Sequence, residues 1–228
     1  MKSDTRKSHD LVNDALALIE AEAEAAINTR GRFIFSLSGG NTPKPIYAAL
    51  AARKHDWSKW VFTFGDERCV PPDDEESNYR MANEILFIPA GVPETSVYRM
   101  KGEAEPAQAA QEYEQSLNLL AENAGEKILC HDLILLGMGP DGHTASLFPG
   151  TPALQEKTRL VVENFVPKFD MFRITFTYPL LNAARHIVFS LASKGKEAVL
   201  SDLENKRGDY PCQHVSPTEG TLTWLIAE

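Results

Sequence analysis

Residues 132–136 read DLILL, and residues 137–150 continue as GMGPDGHTASLFPG. This stretch decides the predicted fold. The unbroken apolar run after Asp132 predicts a short strand that is buried on both faces, as in a parallel sheet covered by helices. In such sheets, ligands bind beyond the carboxyl ends of the strands. We therefore look for functional residues directly after each predicted strand, and the glycine-rich segment at 137–150 is the first place to look.

Strands and helices alternate through the rest of the chain. Short apolar runs predict further strands at 32–37, 60–64, 159–162, 173–176, 186–191 and 221–226. Helical spacing and end signals predict helices at 11–27, 45–52, 77–87, 106–123 and 195–203, with Pro89 placed after the end of the third. The segment 202–217 reads as a polar loop. The alternation predicts the α/β class with a mainly parallel sheet and helices on both faces, in one domain spanning 1–228.

The charge balance of the chain limits its partners. Lys and Arg number 23 and Asp and Glu number 32, which gives a net charge of -9. This excess of negative charge argues against nucleic acid or an anionic membrane surface as a partner, since either would be repelled. A small anionic substrate remains compatible, because it needs only a local basic site.

Cysteine usage and the N-terminus indicate the compartment. Cys69, Cys130 and Cys212 are too few and too widely spaced for a disulfide framework or a zinc site, which favours a reducing environment. The first ten residues lack an apolar signal core, and no apolar run approaches the roughly 20 residues of a membrane span. We expect a cytoplasmic protein without a membrane partner, either a monomer or a small homo-oligomer.

The first loop after a strand, residues 36–43, reads SLSGGNTP. Gly39 and Gly40 allow backbone N–H groups to approach an anion closely, and the helix that follows adds unpaired donors at its N-terminus. Together with Asn41 and Thr42, these residues form a candidate phosphate cradle. A tight turn in which a hydroxyl side chain caps the helix would explain the same pattern.

The second loop, residues 64–72, reads FGDERCVPP. Arg68 is suited to bind an anionic oxygen or a developing oxyanion. Asp66 or Glu67 would hold sugar hydroxyls or hold Arg68 in place. The alternative interpretation is a solvated cluster of charges on a surface loop.

The third loop follows DLILL and carries the strongest signal. His143 has an imidazole whose ordinary pKa lies near neutrality, and Asp141 stands two residues before it. A base that works near neutral pH, together with a group that orients it, is what the activation of a water molecule requires. A histidine in a glycine-rich loop at a strand end is not typical of a core histidine.

The same loop also matches a dinucleotide-binding pattern at Gly137, Gly139 and Gly142, with Glu163 at the spacing of a ribose-binding acid. We reject this interpretation because Asp141 would face the pyrophosphate and because Pro149 leaves no room for a long helix. The histidines are scattered, so no metal is predicted. Ser146 lacks the flanking glycines of a nucleophile elbow. We therefore expect neither a cofactor nor a metal.

Taken together, the three loops resemble the 6-phosphogluconolactonase family. The resemblance covers nearly the whole chain and rests on SGGNTP at 38–43, DER at 66–68 with VP at 70–71 and SNY at 77–79, GMGPDGHTASLFP at 137–149, RIT at 173–175 and GKEA at 195–198. One segment departs from the family pattern. Where the family commonly has a proline-rich stretch before RIT, this chain reads VPKFDMF at 166–172.

The resemblance implies a Rossmann-like sheet and the metal-free hydrolysis of 6-phospho-D-glucono-1,5-lactone to 6-phosphogluconate, a step of the oxidative pentose phosphate pathway. It also implies roles for the residues. His143 would activate water, Asp141 would orient His143, and Arg68 with loop N–H groups would stabilise the oxyanion. The predicted substrate-binding residues are Gly39, Gly40, Asn41, Thr42, Asp66, Gly139, Lys168, Arg173 and Lys196.

Two other functions remain as alternatives. A deaminase or isomerase of an aminosugar phosphate would share the fold, but such relatives resemble Met-Asp-Glu-Tyr where this chain has Gly65-Asp66-Glu67-Arg68. They also resemble Ile-Ala-Phe-Asn-Glu-Pro where this chain has Thr-Ala-Ser-Leu-Phe-Pro at 144–149. A non-catalytic sugar-phosphate sensor would keep the cradle but would not need Asp141 beside His143.

Overall fold

The computed structural model describes residues 2–228. Its strands are β1 (Lys2–Ser8), β2 (Phe33–Leu37), β3 (Trp60–Phe64), β4 (Asp66–Arg68), β5 (Leu133–Leu136), β6 (Val161–Val166), β7 (Met171–Phe176), β8 (His186–Ala192) and β9 (Thr221–Ala227). Its α-helices are α1 (Leu11–Arg30), α2 (Pro43–Ala51), α3 (Asn78–Ala82), α4 (Ile88–Ala90), α5 (Pro106–Ala124), α6 (Tyr178–Leu181) and α7 (Glu197–Glu204). Short 3-10 turns begin at Trp57, Glu94, Pro152, Pro167 and Pro211.

The main sheet has six strands in the order β1-β9-β8-β5-β2-β3, and every neighbouring pair is parallel. β5, which contains the DLILL run, lies in the interior of this sheet between β8 and β2. The carboxyl ends of parallel strands meet at one edge. The segments that follow β2, β5 and β8 therefore emerge side by side, and the predicted α/β class with a mainly parallel sheet is confirmed.

Helices cover both faces of this sheet, as predicted. Successive side chains of a strand point to opposite faces. In β5, Leu133 and Leu135 pack into the core under α1 and α2, whereas Ile134 and Leu136 pack into the core under α5. Each core gains two buried leucine or isoleucine side chains from this short strand, which explains why the run contains no polar residue.

A second sheet is antiparallel, with the order β4-β7-β6, and the sequence did not predict it. Residues 66–68 were expected in a loop but form β4, which pairs with β7 so that Arg68 lies opposite Arg173. The strand predicted at 159–162 is wrong in its bounds, because β6 spans Val161–Val166. Three charged residues in a row carry no strand pattern, and their pairing depends on contacts that are remote in sequence.

Three smaller predictions also need correction. The polar N-terminus forms β1, an edge strand paired in parallel with β9. The helix predicted at 77–87 does not end before Pro89, because a wide turn at Asn83–Phe87 leads directly into α4, which ends at the left-handed Gly91. The segment 202–217 is not entirely loop, since Pro211–His214 forms a 3-10 turn with Cys212 buried. Within residues 2–228, no helix has the length and apolar character needed to cross a membrane.

Candidate active site

A cleft of about 250 Å³ lies at the carboxyl edge of the main sheet, where the segments after β2, β5 and β8 face the small antiparallel sheet. Ten of the twelve residues predicted for the site line it: Gly39, Gly40, Asn41, Thr42, Asp66, Arg68, Gly139, His143, Arg173 and Lys196. The other two, Asp141 and Lys168, stand behind His143. The cleft therefore brings together the three loops that were selected separately from the sequence.

His143 and Asp141 form a hydrogen-bonded pair. The imidazole Nδ1 of His143 contacts Oδ1 of Asp141, and the backbone N–H of His143 donates to the same oxygen at 3.3 Å. Partial burial would raise the pKa of the Asp141 carboxyl, but the hydrogen bonds from His143 and Lys168 and the charge of His143 outweigh burial and lower that pKa to about 2. Asp141 is therefore ionised at neutral pH and can only accept, so the proton of a neutral His143 lies on Nδ1 and its Nε2 is left as an acceptor.

The position of the imidazole ring depends on a glycine and a phenylalanine. A Cβ atom on Gly139 would lie 2.1 Å from Nδ1 and Cε1 of His143, so only glycine leaves space for the ring. On the other side, the ring of Phe148 stacks on the imidazole with a centroid separation of 3.9 Å. The backbone N–H of Gly139 also donates to the His143 carbonyl at 2.9 Å. These contacts hold the imidazole in one orientation.

The end of the same loop is fixed to the small sheet. The Ser146 hydroxyl donates to Oδ2 of Asp66 at 2.6 Å, and its backbone N–H donates to the hydroxyl of Thr175 at 3.1 Å. Asn164 donates to the Ser146 carbonyl at 2.8 Å. Asp66 was expected to hold sugar hydroxyls or to hold Arg68. The structure shows its carboxylate bound to Ser146 and near Asn78, so it connects the second and third loops.

The glycine loop after β2 is shaped by two side chains from outside it. Tyr47 donates its hydroxyl to the Ser38 carbonyl at 3.0 Å and accepts from the Ser38 N–H at 2.9 Å. The Asn78 carboxamide packs so closely on Gly39 that a Cβ there would lie 1.9 Å from its Oδ1. Gly40 has a φ of 90°, which favours glycine. A side chain at position 39 would disturb the contact with Asn78, whereas a side chain at position 40 would meet no atom but would strain the backbone.

The helix that follows this loop offers fewer donors than expected. α2 begins at Pro43, and Pro45 occupies its third position, so two of its first three residues have no backbone N–H. The Thr42 side chain makes no capping hydrogen bond, so the interpretation of this residue as a side-chain cap is wrong. The donors available to an anion are therefore mainly the backbone N–H groups of residues 39–42 and the Lys44 N–H.

Arg68 and Arg173 lie opposite each other on β4 and β7 and both face the cleft. The Nε of each guanidinium is buried without a hydrogen-bond partner among residues 2–228. Arg68 is anchored by a bond from its guanidinium to the Glu76 carbonyl. Burial lowers the pKa of Arg173, which the Asp66 charge partly offsets and the Arg68 charge reinforces. Two adjacent cations with buried, unpaired donors form a site prepared for an anionic group.

Glu67 has a structural role. It is buried, and its carboxylate accepts from Ser77 Oγ at 3.0 Å and from the backbone N–H groups of Asn78 and Tyr79 at 2.7 Å each. Burial raises the pKa of Glu67, which these N–H groups partly offset. Glu67 therefore anchors the start of α3 and with it Asn78, and the interpretation of the DER run as a solvated charge cluster is wrong.

Lys196 and Lys168 stand in different places. Lys196 lies after β8 on the cleft wall, where its Nζ donates to the Ala192 carbonyl at 3.2 Å. Lys168 lies at the tip of the β6–β7 hairpin, and its Nζ contacts Oδ2 of Asp141 at 3.1 Å. Lys168 was expected among the substrate-binding residues, but its contact is with the dyad.

Two of the polar residues that line the cleft, Asn78 and Ser190, were not among the predicted site residues. Asn78 lines it and joins the glycine loop to Asp66, and its only sequence signal was its place in SNY after a predicted cap. Ser190 also lines it, within β8, and its buried hydroxyl has no hydrogen-bond partner in the described chain. Across residues 2–228, no group of three or more His, Cys, Asp or Glu side chains is arranged to hold a metal ion.

Comparisons with known proteins agree with this geometry. The family model described as glucosamine-6-phosphate isomerases/6-phosphogluconolactonase matches residues 6–224. A protein of Nostoc named 6-phosphogluconolactonase is 40% identical over 220 residues, which is 95% of this chain and 90% of that protein. The human protein of the same name is 36% identical over 94% of this chain and 86% of its own length.

Solved structures extend the likeness to the whole fold. The crystal structure of 6-phosphogluconolactonase from Thermotoga maritima superposes with a TM-score of 0.89 at 28% identity and covers all of both chains. The three-dimensional structure of 6-phosphogluconolactonase from Trypanosoma brucei matches with a TM-score of 0.85 at 26% identity, over 99% of this chain and 95% of that chain. The chain therefore belongs to the glucosamine-6-phosphate isomerase/6-phosphogluconolactonase family and, within it, to the 6-phosphogluconolactonases.

Proposed function

We propose that this protein hydrolyses 6-phospho-D-glucono-1,5-lactone to 6-phosphogluconate, in the oxidative pentose phosphate pathway, with His143 as the general base. The family supports the reaction, since the relatives named above are 6-phosphogluconolactonases over nearly the full chain. One observation carries the residue assignment. The carboxylate-oriented imidazole of His143 opens into the same cleft as the Gly39–Gly40 loop and the two arginines whose Nε atoms have no partner in residues 2–228.

In this proposal, the free Nε2 of His143 takes a proton from a water molecule as that water attacks the C1 carbonyl of the lactone. Asp141 accepts from Nδ1 and stabilises the imidazolium that forms. When the tetrahedral intermediate collapses, the bond from C1 to the ring oxygen breaks, and the imidazolium returns its proton to that oxygen. General base catalysis of this kind typically contributes about 100- to 10,000-fold to the rate.

The charges of the reaction are matched by the cations of the cleft. The carbonyl oxygen becomes an oxyanion during attack, and Arg68, which lines the cleft and is hydrogen-bonded to the Glu76 carbonyl, would stabilise it. The phosphate arm would be held by the backbone N–H groups of residues 39–42 together with Arg173 and Lys196. Phosphate binding fixes the ring at a constant distance from His143, which lowers the entropic barrier to attack.

The test is lactone hydrolysis, measured as proton release above the spontaneous rate at mildly acidic pH. The wild-type protein should accelerate opening of the phosphorylated lactone. His143→Gln should lose at least about 100-fold in kcat while still binding 6-phosphogluconate, because it removes only the base. Near-normal turnover in this variant would refute the base assignment.

A matched control is available in the exposed His214, which pairs with Asp209 outside the cleft at 2.7 Å. His214→Gln removes an imidazole and a carboxylate contact of the same kind, and its turnover should equal that of the wild type. The related aminosugar-phosphate reaction is tested in parallel. Release of ammonia from glucosamine 6-phosphate, without lactone hydrolysis, would overturn the proposed substrate.

A further inference from the structure

We propose that Lys168 is a positioning residue for the His143–Asp141 pair, and that its ammonium group opposes the attraction of the Asp141 carboxylate for a proton on the imidazole of His143. This inference rests on the proposed role of His143 as the base. It replaces the expectation that Lys168 binds substrate. The segment that carries Lys168, residues 166–172, is also the one that departs from the family pattern.

The geometry at Asp141 is that of a carboxylate shared by an imidazole and an ammonium group. Oδ1 faces Nδ1 of His143, and Oδ2 faces Nζ of Lys168 at 3.1 Å. Each oxygen therefore has its own partner. Without a partner for Oδ2, the carboxylate could rotate. The contact with Lys168 therefore also fixes the plane of the carboxylate and with it the orientation of the imidazole.

The hairpin tip that supplies Lys168 is held in place by its own turn. β6 ends at Val166, the chain turns through Pro167–Phe169, and the Asp170 N–H donates to the Pro167 carbonyl at 3.2 Å. Asp170 has a φ of 48°, a left-handed conformation that Asp tolerates better than most residues. This turn directs Lys168 back toward the loop that follows β5.

A stack of rings fixes the tip from a second side. The ring of Phe169 meets that of Phe148 edge-on with a centroid separation of 5.7 Å, and Phe148 stacks on His143. The Arg173 guanidinium lies 5.1 Å from the centre of the Phe169 ring. Lys168 and Phe169 are consecutive, so one two-residue segment contacts the Asp141 side and the Phe148 side of the dyad.

Electrostatics explain what the lysine contributes. A carboxylate beside an imidazole stabilises the protonated form and raises the histidine pKa, but a general base must be unprotonated at the working pH. A positive charge on the far oxygen of Asp141 opposes this effect.

The other charged groups that line the cleft with His143 are Arg68, Arg173 and Lys196, all cations, and Asp66, whose carboxylate is bound by Ser146. Lys168 is the cation in direct contact with Asp141.

The competing role, a direct contact with the phosphate, fits the structure less well. Lys168 does not line the cleft, whereas Arg173 and Lys196 do. Its Nζ is already in contact with Asp141, and the side chain is about half exposed, at 53%. A lysine that bound the phosphate would change KM at every pH, whereas a lysine that acts on the dyad changes the pH dependence of the base.

The experiment is an NMR titration of the His143 imidazole in the free protein, with its signal assigned by its absence in His143→Gln. In Lys168→Met the midpoint of His143 should rise by roughly half to one pH unit, because the charge that opposes Asp141 is lost across a partly solvated distance. Lys168→Arg should restore the wild-type midpoint. Lys157→Met, at an exposed lysine outside the cleft, should leave it unchanged.

Kinetics give the second arm. The acidic limb of kcat/KM for the phosphorylated lactone should move by the same amount in Lys168→Met, with little change in KM above the new midpoint. An unchanged His143 midpoint in both Lys168→Met and Lys168→Gln would overturn the inference, as would a raised KM at all pH values without a shift. The titration needs no substrate. The titration therefore decides the role of Lys168 independently of activity. The absence of lactonase activity would refute only the proposed function.

Discussion

The two ends of β5 carry polar clusters of opposite character. At the amino end, Asp132 is buried and accepts from the Ile34 N–H at 2.7 Å, from Arg30 at 2.8 Å and from Arg185 at 3.3 Å. The neighbouring His131 is fully buried against Thr63. At the carboxyl end, the polar groups face a cleft and the buried Nε atoms of two arginines have no partner in residues 2–228.

The contrast shows that hydrogen-bond pairing of the charged groups distinguishes the structural cluster from the functional one. The amino-end carboxylate is paired on the inside of the protein, so adding a ligand there would break existing bonds. The carboxyl-end cations have unused donors, which cost free energy unless an anion binds. The histidines differ in exposure, although Nδ1 of the buried His131 also has no hydrogen-bond partner among the described residues. Burial lowers the pKa of His131 to about 3, so it stays neutral, whereas His143 opens into the cleft beside an ionised carboxylate.

The two ends of β5 should differ most in how the loss of one arginine affects catalysis. Arg173→Met removes one of the two cleft cations whose Nε has no hydrogen-bond partner among the described residues and should lower kcat/KM by about 100- to 1,000-fold. Arg30→Met removes one of the two arginines on Asp132 and should leave kcat/KM unchanged while lowering the free energy of unfolding by about 1 kcal/mol. Lactone kinetics and urea unfolding check both. Equal losses of activity in the two variants would break the comparison.

A glycine pair in the third loop tests how strictly the imidazole is positioned. In Gly139→Ala the new Cβ falls 2.1 Å from the His143 ring and must displace it, so kcat should fall by up to about 100-fold. Gly137→Ala lies two residues away, where no protein atom stands within 4 Å of the added Cβ, so this variant should leave the His143 ring in place and keep a higher kcat than Gly139→Ala. If Gly139→Ala kept full activity, the position of the ring would not matter for turnover.

The buried His131 at the amino end of β5 should make the stability of the protein depend on pH. The pKa of His131 is about 3 in the folded protein and about 6.5 in an unfolded chain, so between these values the unfolded state binds more protons. Stability should therefore be fully present above pH 6.5 and fall as the pH falls, by about 2 kcal/mol at pH 5 from this group. Urea unfolding from pH 7 to pH 5 measures the loss.

His131→Gln should flatten that dependence without changing lactone turnover at neutral pH, because residue 131 lies at the end of β5 remote from the cleft. The exposed His214→Gln serves as the control and should retain the wild-type dependence. A dependence that is unchanged in His131→Gln would mean that protonation of another group drives the loss.

Local pattern was sufficient to predict much of the fold. The DLILL run indicates burial on both faces without any other information. The glycines, His143 and Asp141 that follow it lie within a few residues of one another. The predicted parallel sheet, its helices and the shared cleft of the three loops all follow from such short-range signals together with the rule that loops after parallel strands meet at one edge.

What the sequence could not show depends on contacts between remote residues. β4 consists of Asp66, Glu67 and Arg68, whose strand conformation is selected by pairing with β7, about a hundred residues later.

The positions of two site residues also depend on remote contacts. Asn78 enters the site only because Gly39 lacks a side chain. Lys168 was predicted among the substrate-binding residues, and only the folded hairpin shows its contact with Asp141. The single domain and the cytoplasmic location stay predictions.

The most direct test of the account compares two midpoints for the wild-type protein. One is the NMR titration midpoint of the His143 imidazole, and the other is the pH at which kcat/KM for 6-phospho-D-glucono-1,5-lactone falls to half on the acidic side. If the neutral imidazole accepts the proton of the attacking water, the two values coincide and activity disappears as His143 becomes protonated. Full activity at a pH where the NMR signal shows His143 protonated would contradict the account.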